Sequence, residues 1–146
     1  MLLRAARSTD AGTVGDILSA FIDDTPWMPR IHTRAEDLAH AGALIARGGV
    51  TVAEREGAVI GFAACEGDDL DALYVQADAQ STGVGSALLE AVRARRETLT
   101  LWTFEANIGA QRFYLRHGFR EVRRTDGSGN DEGLPDILYE WRREAS

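Results

Sequence analysis

The spacing of apolar residues predicts a strand and two helices at the start of the chain. Residues 2–6 form a short apolar run that is typical of a strand. A helix follows to about Phe21, because four apolar residues recur at helical spacing: Val14, Ile17, Leu18 and Phe21. A second helix is predicted between the capping-box pair Thr33 and Glu36 and the glycines at 48–49.

The middle of the chain alternates between strand and helix patterns. Three strand-like runs, 50–54, 59–65 and 70–75, are separated by short turns that contain glycine. A third helix follows the glycine-rich segment 80–86, since apolar residues recur there at helical spacing. Residues 98–104 alternate again and predict a further strand.

A short helix and two strands end the predicted pattern. Asn107 can cap this helix and Gly118 can end it, while 119–123 and 137–141 are strand-like. The element order is therefore β-α-α-β-β-β-α-β-α-β-β. Its three consecutive strands favour an antiparallel meander, and its β-α-β unit implies a parallel pair. We expect an α/β (α+β) fold, a single domain over residues 1–146 with a mixed central sheet of six to seven strands flanked by about four helices.

Composition narrows the class of protein. The 146 residues include 45% apolar and 27% charged residues, as soluble domains do, and carry a net charge of −7. That acidity argues against nucleic acid or an anionic membrane as a partner. One cysteine excludes an internal disulfide, and neither a membrane span nor a signal peptide is visible, so we expect a cytoplasmic protein. Three scattered histidines show no metal-ligand spacing, and no metal is expected.

The glycine-rich segment 80–86 carries the strongest chemical signal. A glycine-rich turn at a helix start presents unpaired backbone N–H groups, which can hold a phosphate. A P-loop is excluded because Ser-Ala follows Gly85 where lysine and a hydroxyl residue are needed. A dinucleotide-binding turn needs a third glycine near position 88, where this chain has Leu88, which argues against that kind of site. Glu105 does lie where a ribose-binding acid would, yet the chain offers only one crossover of the required kind.

Two blocks of sequence carry a family resemblance together. The first is Gln80-x-x-Gly83-x-Gly85, directly after the strand-like run. The second, after the strand that contains Trp102, is Asn107-x-x-Ala110-x-x-Phe113-Tyr114-x-x-x-Gly118-Phe119. At this separation, inside this element order, the two blocks resemble the GNAT superfamily of acyl-CoA-dependent N-acyltransferases. The resemblance is clear over residues 72–121.

The resemblance implies a GNAT-like fold and an N-acetyltransferase with acetyl-CoA as cosubstrate. It implies direct attack by a primary amine in a ternary complex. In that family a splay between two parallel strands admits the pantetheine arm, here beside Leu73, Tyr74 and Val75, and a backbone N–H, that of Val75, polarises the thioester carbonyl. The other cofactor-binding residues that it implies are Gln80, Ser81, Thr82, Gly83, Val84, Gly85, Ser86, Asn107, Phe113 and Tyr114. There are two alternatives: the protein transfers another short acyl group, or it is a non-catalytic CoA-binding sensor or regulatory module.

Candidate catalytic groups follow from the same resemblance. Tyr114 matches the family tyrosine near the CoA sulfur, and a phenol is protonated at pH 7, so it can donate to a leaving thiolate. The base that accepts the amine proton is open among three acids: Asp69, Asp71 and Glu105. Asp71 is expected to share a strand face with Leu73 and Val75, because side chains alternate with period two.

The acceptor site is expected between two loops, near residues 21–32 and 125–134. Its candidate residues are Asp24, Trp27, Met28 and His32. Acidic residues in both loops suit a cationic amine, which leaves a small molecule or a peptide as the acceptor. The protein is expected to be a monomer or a homodimer.

Overall fold

Residues 1–144, which the computed structural model describes, form one seven-stranded sheet and four α-helices. The strands are β1 (Leu2–Ala5), β2 (Val50–Arg55), β3 (Ala58–Glu66), β4 (Asp69–Val75), β5 (Thr98–Phe104), β6 (Arg120–Thr125) and β7 (Asp136–Arg142). The helices are α1 (Ala11–Asp24), α2 (Arg34–Arg47), α3 (Val84–Arg93) and α4 (Ile108–Arg116). Over this range, none of the helices combines the length and the apolarity that crossing a membrane requires.

The sheet is mixed, with the order β1-β2-β3-β4-β5-β7-β6. Strands β2, β3 and β4 form the predicted antiparallel meander, and β4 and β5 are the predicted parallel pair. That parallel pair is joined at a single register position, where Asp69 lies opposite Thr100. Beyond this position the two strands separate, so the sheet opens between their carboxyl ends.

Helices cover both faces of the sheet and bury a core on each. On one face α3 and α4 pack on the strands through Val84, Leu88, Leu89, Val92, Tyr114 and Phe119. On the other face α1 and α2 pack on β2, β3 and β4 through Val14, Ile17, Ala41, Leu44, Val52 and Phe62. The predicted layers and the predicted counts of strands and helices are therefore confirmed.

Local capping signals explain where the helices begin. The backbone N–H of Glu36 donates to the Thr33 hydroxyl at 3.1 Å, and that of Thr33 donates to the Glu36 carboxylate at 3.0 Å, so the predicted capping box is confirmed. The Asn107 side chain accepts from the N–H of Ala110 at 3.0 Å and caps α4. Helix α1 ends at Asp24, three residues later than the apolar spacing predicts, and Thr25, which precedes Pro26, already has an extended backbone.

A β-bulge in β4 corrects one prediction. Cys65 lies opposite Leu70 and Ala64 lies opposite Ala72, so Asp71 is an extra residue without a partner on β3. The expectation that Asp71 shares a face with Leu73 is therefore wrong. The side chain of Asp71 turns to α2 instead, where Arg47 lies 3.5 Å away.

Candidate functional site

The open edge of β4 is the centre of the candidate site. The N–H of Gln76 donates to the carbonyl of Ile60 in β3 at 2.7 Å. Because successive N–H groups of a strand point to opposite edges, the N–H and carbonyl of Val75 point into the gap toward β5. The Gln80 side chain donates to the Val75 carbonyl at 3.2 Å. A backbone donor at this edge is thus free to bind a carbonyl oxygen.

The segment after β4 leaves backbone N–H groups unpaired at the start of α3. Ser81 and Gly83 both have left-handed backbones, with φ of 63° and 88°, and they bend the chain around the helix end. The first hydrogen bond of the helix runs from the N–H of Ala87 to the carbonyl of Gly83 at 3.0 Å. The N–H groups of residues 84–86 precede that bond, so they remain available for a phosphate.

Helix α4 closes one side of this loop. A ring carbon of Phe113 lies 3.5 Å from where a Cβ on Gly85 would be, so the two segments are close enough for van der Waals contact. The Ser86 hydroxyl lies 3.1 Å from Nε2 of His117, whose ring stacks on Phe113 with centroids 4.5 Å apart. Burial, and then the charge of Arg93, lowers the pKa of His117 below its ordinary value. The loop and α4 are therefore tied by an aromatic contact and a hydrogen bond.

Tyr114 of α4 is a buried phenol that lies between aromatic rings. Its ring packs edge-to-face on Phe113 and Phe119, with centroids 5.2 and 5.3 Å away, and the residue is 8% exposed. Within residues 1–144 its hydroxyl has no hydrogen-bond partner, although the oxygen is not completely sealed from solvent. Burial, and then the neighbouring Tyr74 hydroxyl, raises the pKa of Tyr114 well above its ordinary value. The group therefore keeps its proton throughout the neutral pH range.

The three candidate bases lie far apart in the structure. Asp69 bonds the Thr100 hydroxyl at the closed end of the β4–β5 pair, roughly 20 Å of strand away from Val75. Asp71 lies at the bulge beside α2, and burial, followed by the charge of Glu66, raises its pKa. Only Glu105 follows the open end of the gap. It is exposed there, 3.9 Å from the guanidinium of Arg124.

A cavity of about 480 Å³ lies between the two loops that were expected to bind the acceptor. Its walls are Leu18, Phe21, Ile22, Met28, Pro29, Ile31, His32, Glu36, Asp37, His40, Tyr74, Phe104, Asp131 and Glu132. Met28 and His32 thus line this cavity. Trp27 packs edge-on against Phe104 at 5.8 Å, next to it. Asp24 lines a neighbouring cavity of about 580 Å³ that extends to Val75 and Gln80. We call the first of these the acceptor cavity.

Tyr74 lies in the wall of the acceptor cavity, although the resemblance groups it with the cofactor strand. It alternates with Leu73 and Val75, so its side chain points to α1 and packs on Phe21 with centroids 4.7 Å apart. Burial, and then the charge of Glu132, raises the pKa of Tyr74 to about 12. The Tyr74 ring therefore forms part of the cavity wall, and its phenol keeps its proton at neutral pH.

Arg30 holds the loop between α1 and α2, and sequence reasoning missed it. Its guanidinium donates to Asp23 at 2.8 Å, to Asp37 at 2.9 Å and to the carbonyl of His32 at 2.9 Å. It also donates to the carbonyl and hydroxyl of Ser19, both at 2.8 Å. A lone arginine in an irregular loop gives no spacing signal, so only the structure reveals this clamp.

Within residues 1–144 no group of three or more His, Cys, Asp or Glu side chains is placed to hold a metal ion. The free donor at Val75, the unpaired N–H groups at the start of α3 and the phenol of Tyr114 surround one gap, and the acceptor cavity adjoins it. The arrangement can hold a thioester, polarise its carbonyl and protonate its sulfur.

Comparisons with known proteins agree with this geometry. The family model described as "Acetyltransferase (GNAT) domain" matches residues 46–121. Peptidyl-lysine N-acetyltransferase YjaB of Escherichia coli (strain K12) is 33% identical over 135 residues, which cover 91% of this chain and 84% of that protein. Peptidyl-lysine N-acetyltransferase YiaC of the same organism is 34% identical over 90 residues, and the match covers 60% of each chain.

Solved structures share the fold. The solution structure of apo YjaB from Escherichia coli has a TM-score of 0.80 at 23% identity and covers 96% of both chains. YncA from Salmonella typhimurium, solved with acetyl-CoA, has a TM-score of 0.73 at 22% identity, covering 100% of this chain and 96% of that one. A GCN5-related N-acetyltransferase from Rhodopseudomonas palustris has a TM-score of 0.82 at 26% identity, covering 97% and 95%. The expected GNAT-like fold is confirmed.

Proposed function

Because the chain belongs to the GNAT acetyltransferase family, we propose that it transfers the acetyl group of acetyl-CoA to the side-chain amine of a lysine in a protein. The observation that carries this proposal is the gap between β4 and β5, where a free backbone donor and a buried phenol lie beside an acidic cavity. The names of the two Escherichia coli relatives support lysine in a peptide as the acceptor.

The residues around the gap fit acetyl-CoA. The N–H groups of residues 84–86 would hold the pyrophosphate at the helix start, with Gln80 and the hydroxyls of Ser81 and Thr82 on the rim. The pantetheine arm is an extended chain with two amides, and the free edge of Leu73–Val75 would pair with it as a strand does. Phe113 lies beside Gly85, and it and the α4 cap Asn107 would contact the cofactor from α4.

Each proton and bond in the transfer can be assigned. The neutral lysine nitrogen attacks the thioester carbonyl carbon, and the N–H of Val75 donates to the oxygen as it gains charge. The carbon–sulfur bond breaks, and Tyr114 donates its proton to the leaving thiolate. The tyrosinate that remains regains a proton from solvent before the next turnover. The surplus proton of the amine passes to Glu105, directly or through water, since Asp69 and Asp71 lie at the other end of β4.

Acetylation of defined peptides tests the proposal. A peptide with a blocked N-terminus and one lysine should release CoA thiol and gain one acetyl group on that lysine, as mass spectrometry would show. A peptide with a free N-terminus and no lysine serves as the matched control. If only the control were acetylated, the lysine assignment would be refuted. If CoA bound and no amine turned over, the chain would be a CoA-binding module instead, and propionyl-CoA in the same assay tests the acyl preference.

A further inference from the structure

One face of the sheet next to the acceptor cavity is uncovered. In β5 and β7 the residues Leu101, Ile137 and Tyr139 point to the α3–α4 core, so Trp102 and Leu138 between them point to the opposite face. On that face α1 and α2 pack against β2, β3 and β4. Trp102 is 46% exposed, which shows that no element among residues 1–144 covers this part of the sheet.

Three side chains form a continuous row across this open face. Trp102 of β5 lies opposite Leu138 of β7, and Leu138 lies opposite Arg123 of β6. The guanidinium of Arg123 lies 5.3 Å from the centre of the indole ring of Trp102. We call Trp102, Leu138 and Arg123 the Trp102 surface. A large apolar residue exposed beside a cation is a common feature of binding surfaces.

The Trp102 surface continues into the acceptor cavity. Phe104 lies two residues beyond Trp102 on the same face of β5, about 7 Å along the strand. Phe104 lines the acceptor cavity, and Trp27 packs on its other side at 5.8 Å. A chain that fills the cavity therefore reaches the Trp102 surface within two or three extended residues.

The charges of the two regions are opposite. Asp131 and Glu132 line the acceptor cavity, and neither forms an ion pair with any residue from 1 to 144. Arg123 likewise has no carboxylate within 4.0 Å in that part of the chain, although its neighbours Arg120 and Arg124 are both paired. An occupant that satisfies both regions presents a cation to the cavity and an apolar and an acidic side chain to the Trp102 surface.

We infer that the Trp102 surface binds the segment of the acceptor protein that flanks the acetylated lysine, and that it selects an apolar and an acidic residue there. This inference rests on the proposed function. A free diamine or amino acid fills only the cavity, so the surface distinguishes a protein acceptor from a small one. Apolar packing on Trp102 and an ion pair with Arg123 are the two interactions that supply the selectivity.

Kinetics with three substrates test the inference. The substrates are Nα-acetyl-lysine methylamide, a lysine peptide flanked by leucine and glutamate, and the same peptide flanked by glycine and serine. Wild-type protein should show the lowest KM for the leucine–glutamate peptide. Trp102→Ala should raise that KM about tenfold and leave kcat, and the KM of the single lysine, unchanged. Arg123→Glu should shift the preference to a peptide with lysine in place of the flanking glutamate.

Matched controls separate the possible outcomes. Leu2→Ala removes an exposed apolar side chain at the opposite edge of the sheet and should change none of these constants. Equal KM values for both peptides, or an equal rise for the single lysine in Trp102→Ala, would overturn the inference. Sedimentation velocity gives a further check, since dissociation of a dimer by Trp102→Ala would assign the surface to a second copy. Equal turnover of both peptides would overturn this inference and leave the proposed function standing, whereas no turnover of any substrate would refute the proposed function.

Discussion

The cofactor side and the acceptor side of the gap are built in different ways. The cofactor side is one stretch of chain, in which β4 runs through the glycine loop into α3 and then to α4. The acceptor cavity joins residues that are far apart in sequence, such as Phe21, His40, Tyr74 and Glu132. A contiguous site has a fixed sequence spacing, whereas an assembled site depends on how distant segments pack. The first is therefore easier to recognise, and the second can vary with less effect on the fold.

The two sides also differ in what limits a substitution. On the cofactor side the constraint is backbone conformation, as at Gly83 with φ of 88°. On the acceptor side the constraint is a network of side chains around Arg30. If this comparison holds, substitutions on the cofactor side change the affinity for CoA, and substitutions on the acceptor side change only the binding of the acceptor. The following experiments test that separation.

The largest effect is expected at the glycine loop. Gly83→Asp forces an L-residue into a left-handed backbone and places a carboxylate beside the unpaired N–H groups of α3, so the Kd for CoA should rise about a hundredfold. Gly83→Asn is the matched control, because it places an L-residue of nearly the same shape in the same left-handed backbone and carries no charge. Isothermal titration calorimetry measures both. Equal affinity in Gly83→Asp and wild type would show that CoA does not bind at this loop.

The next largest effect is expected at Tyr114. Tyr114→Phe removes the proposed acid without changing the packing, so kcat should fall about a hundredfold while the Kd for CoA stays the same. The acid works only below its pKa, and burial raises that pKa, so the wild-type rate should not decline up to about pH 10 through loss of this proton.

Tyr139→Phe is the control for Tyr114→Phe. Tyr139 is a buried tyrosine of the same core, 2% exposed, on a strand that does not border the gap. Its variant should keep the wild-type kcat. A similar loss of kcat in both variants would indicate a defect in packing rather than the loss of an acid.

The same division, between contacts local in sequence and contacts between distant segments, decides which features could be predicted from the sequence. The capping box of Thr33 and Glu36, the Asn107 cap and the glycine loop are all recognisable because their contacts lie within a few residues. The position of Asp71 was mispredicted because a bulge depends on the register with β3, which spacing along one strand does not contain. The clamp by Arg30 was missed because its partners come from two helices and a loop.

Arg30 tests the acceptor side. Arg30→Ala leaves the buried Asp37 without its partner and releases the loop, so the free energy of unfolding should fall by about 2 kcal/mol. The KM for the acceptor should rise about tenfold and the Kd for CoA should not change, because the clamp touches only the acceptor cavity. Arg30→Lys keeps one charge and should recover part of the stability but not the loop geometry. A matching loss of CoA affinity would contradict the separation of the two sides.

The smallest effect concerns His117, which links α4 to the first turn of α3. Because burial and Arg93 lower its pKa below the ordinary value, the unfolded chain binds a proton more readily than the folded protein does. The free energy of unfolding should therefore rise by a few tenths of a kcal/mol, roughly, as the pH increases from that lowered pKa to about 6.5. Above that pH it should stay constant. Urea unfolding across pH 5 to 8 measures the slope.

His117→Gln should remove the contribution of His117 to the pH dependence of the free energy of unfolding. His32→Gln, in the wall of the acceptor cavity, should leave that contribution unchanged. Bound CoA should flatten the wild-type slope, because a pyrophosphate near Ser86 favours the protonated ring and so raises the pKa of His117 toward its ordinary value. Saturating the acceptor cavity with a lysine peptide should have no such effect. If CoA left the slope unchanged, the pyrophosphate would lie away from Ser86, and the link between α3 and α4 would be structural only.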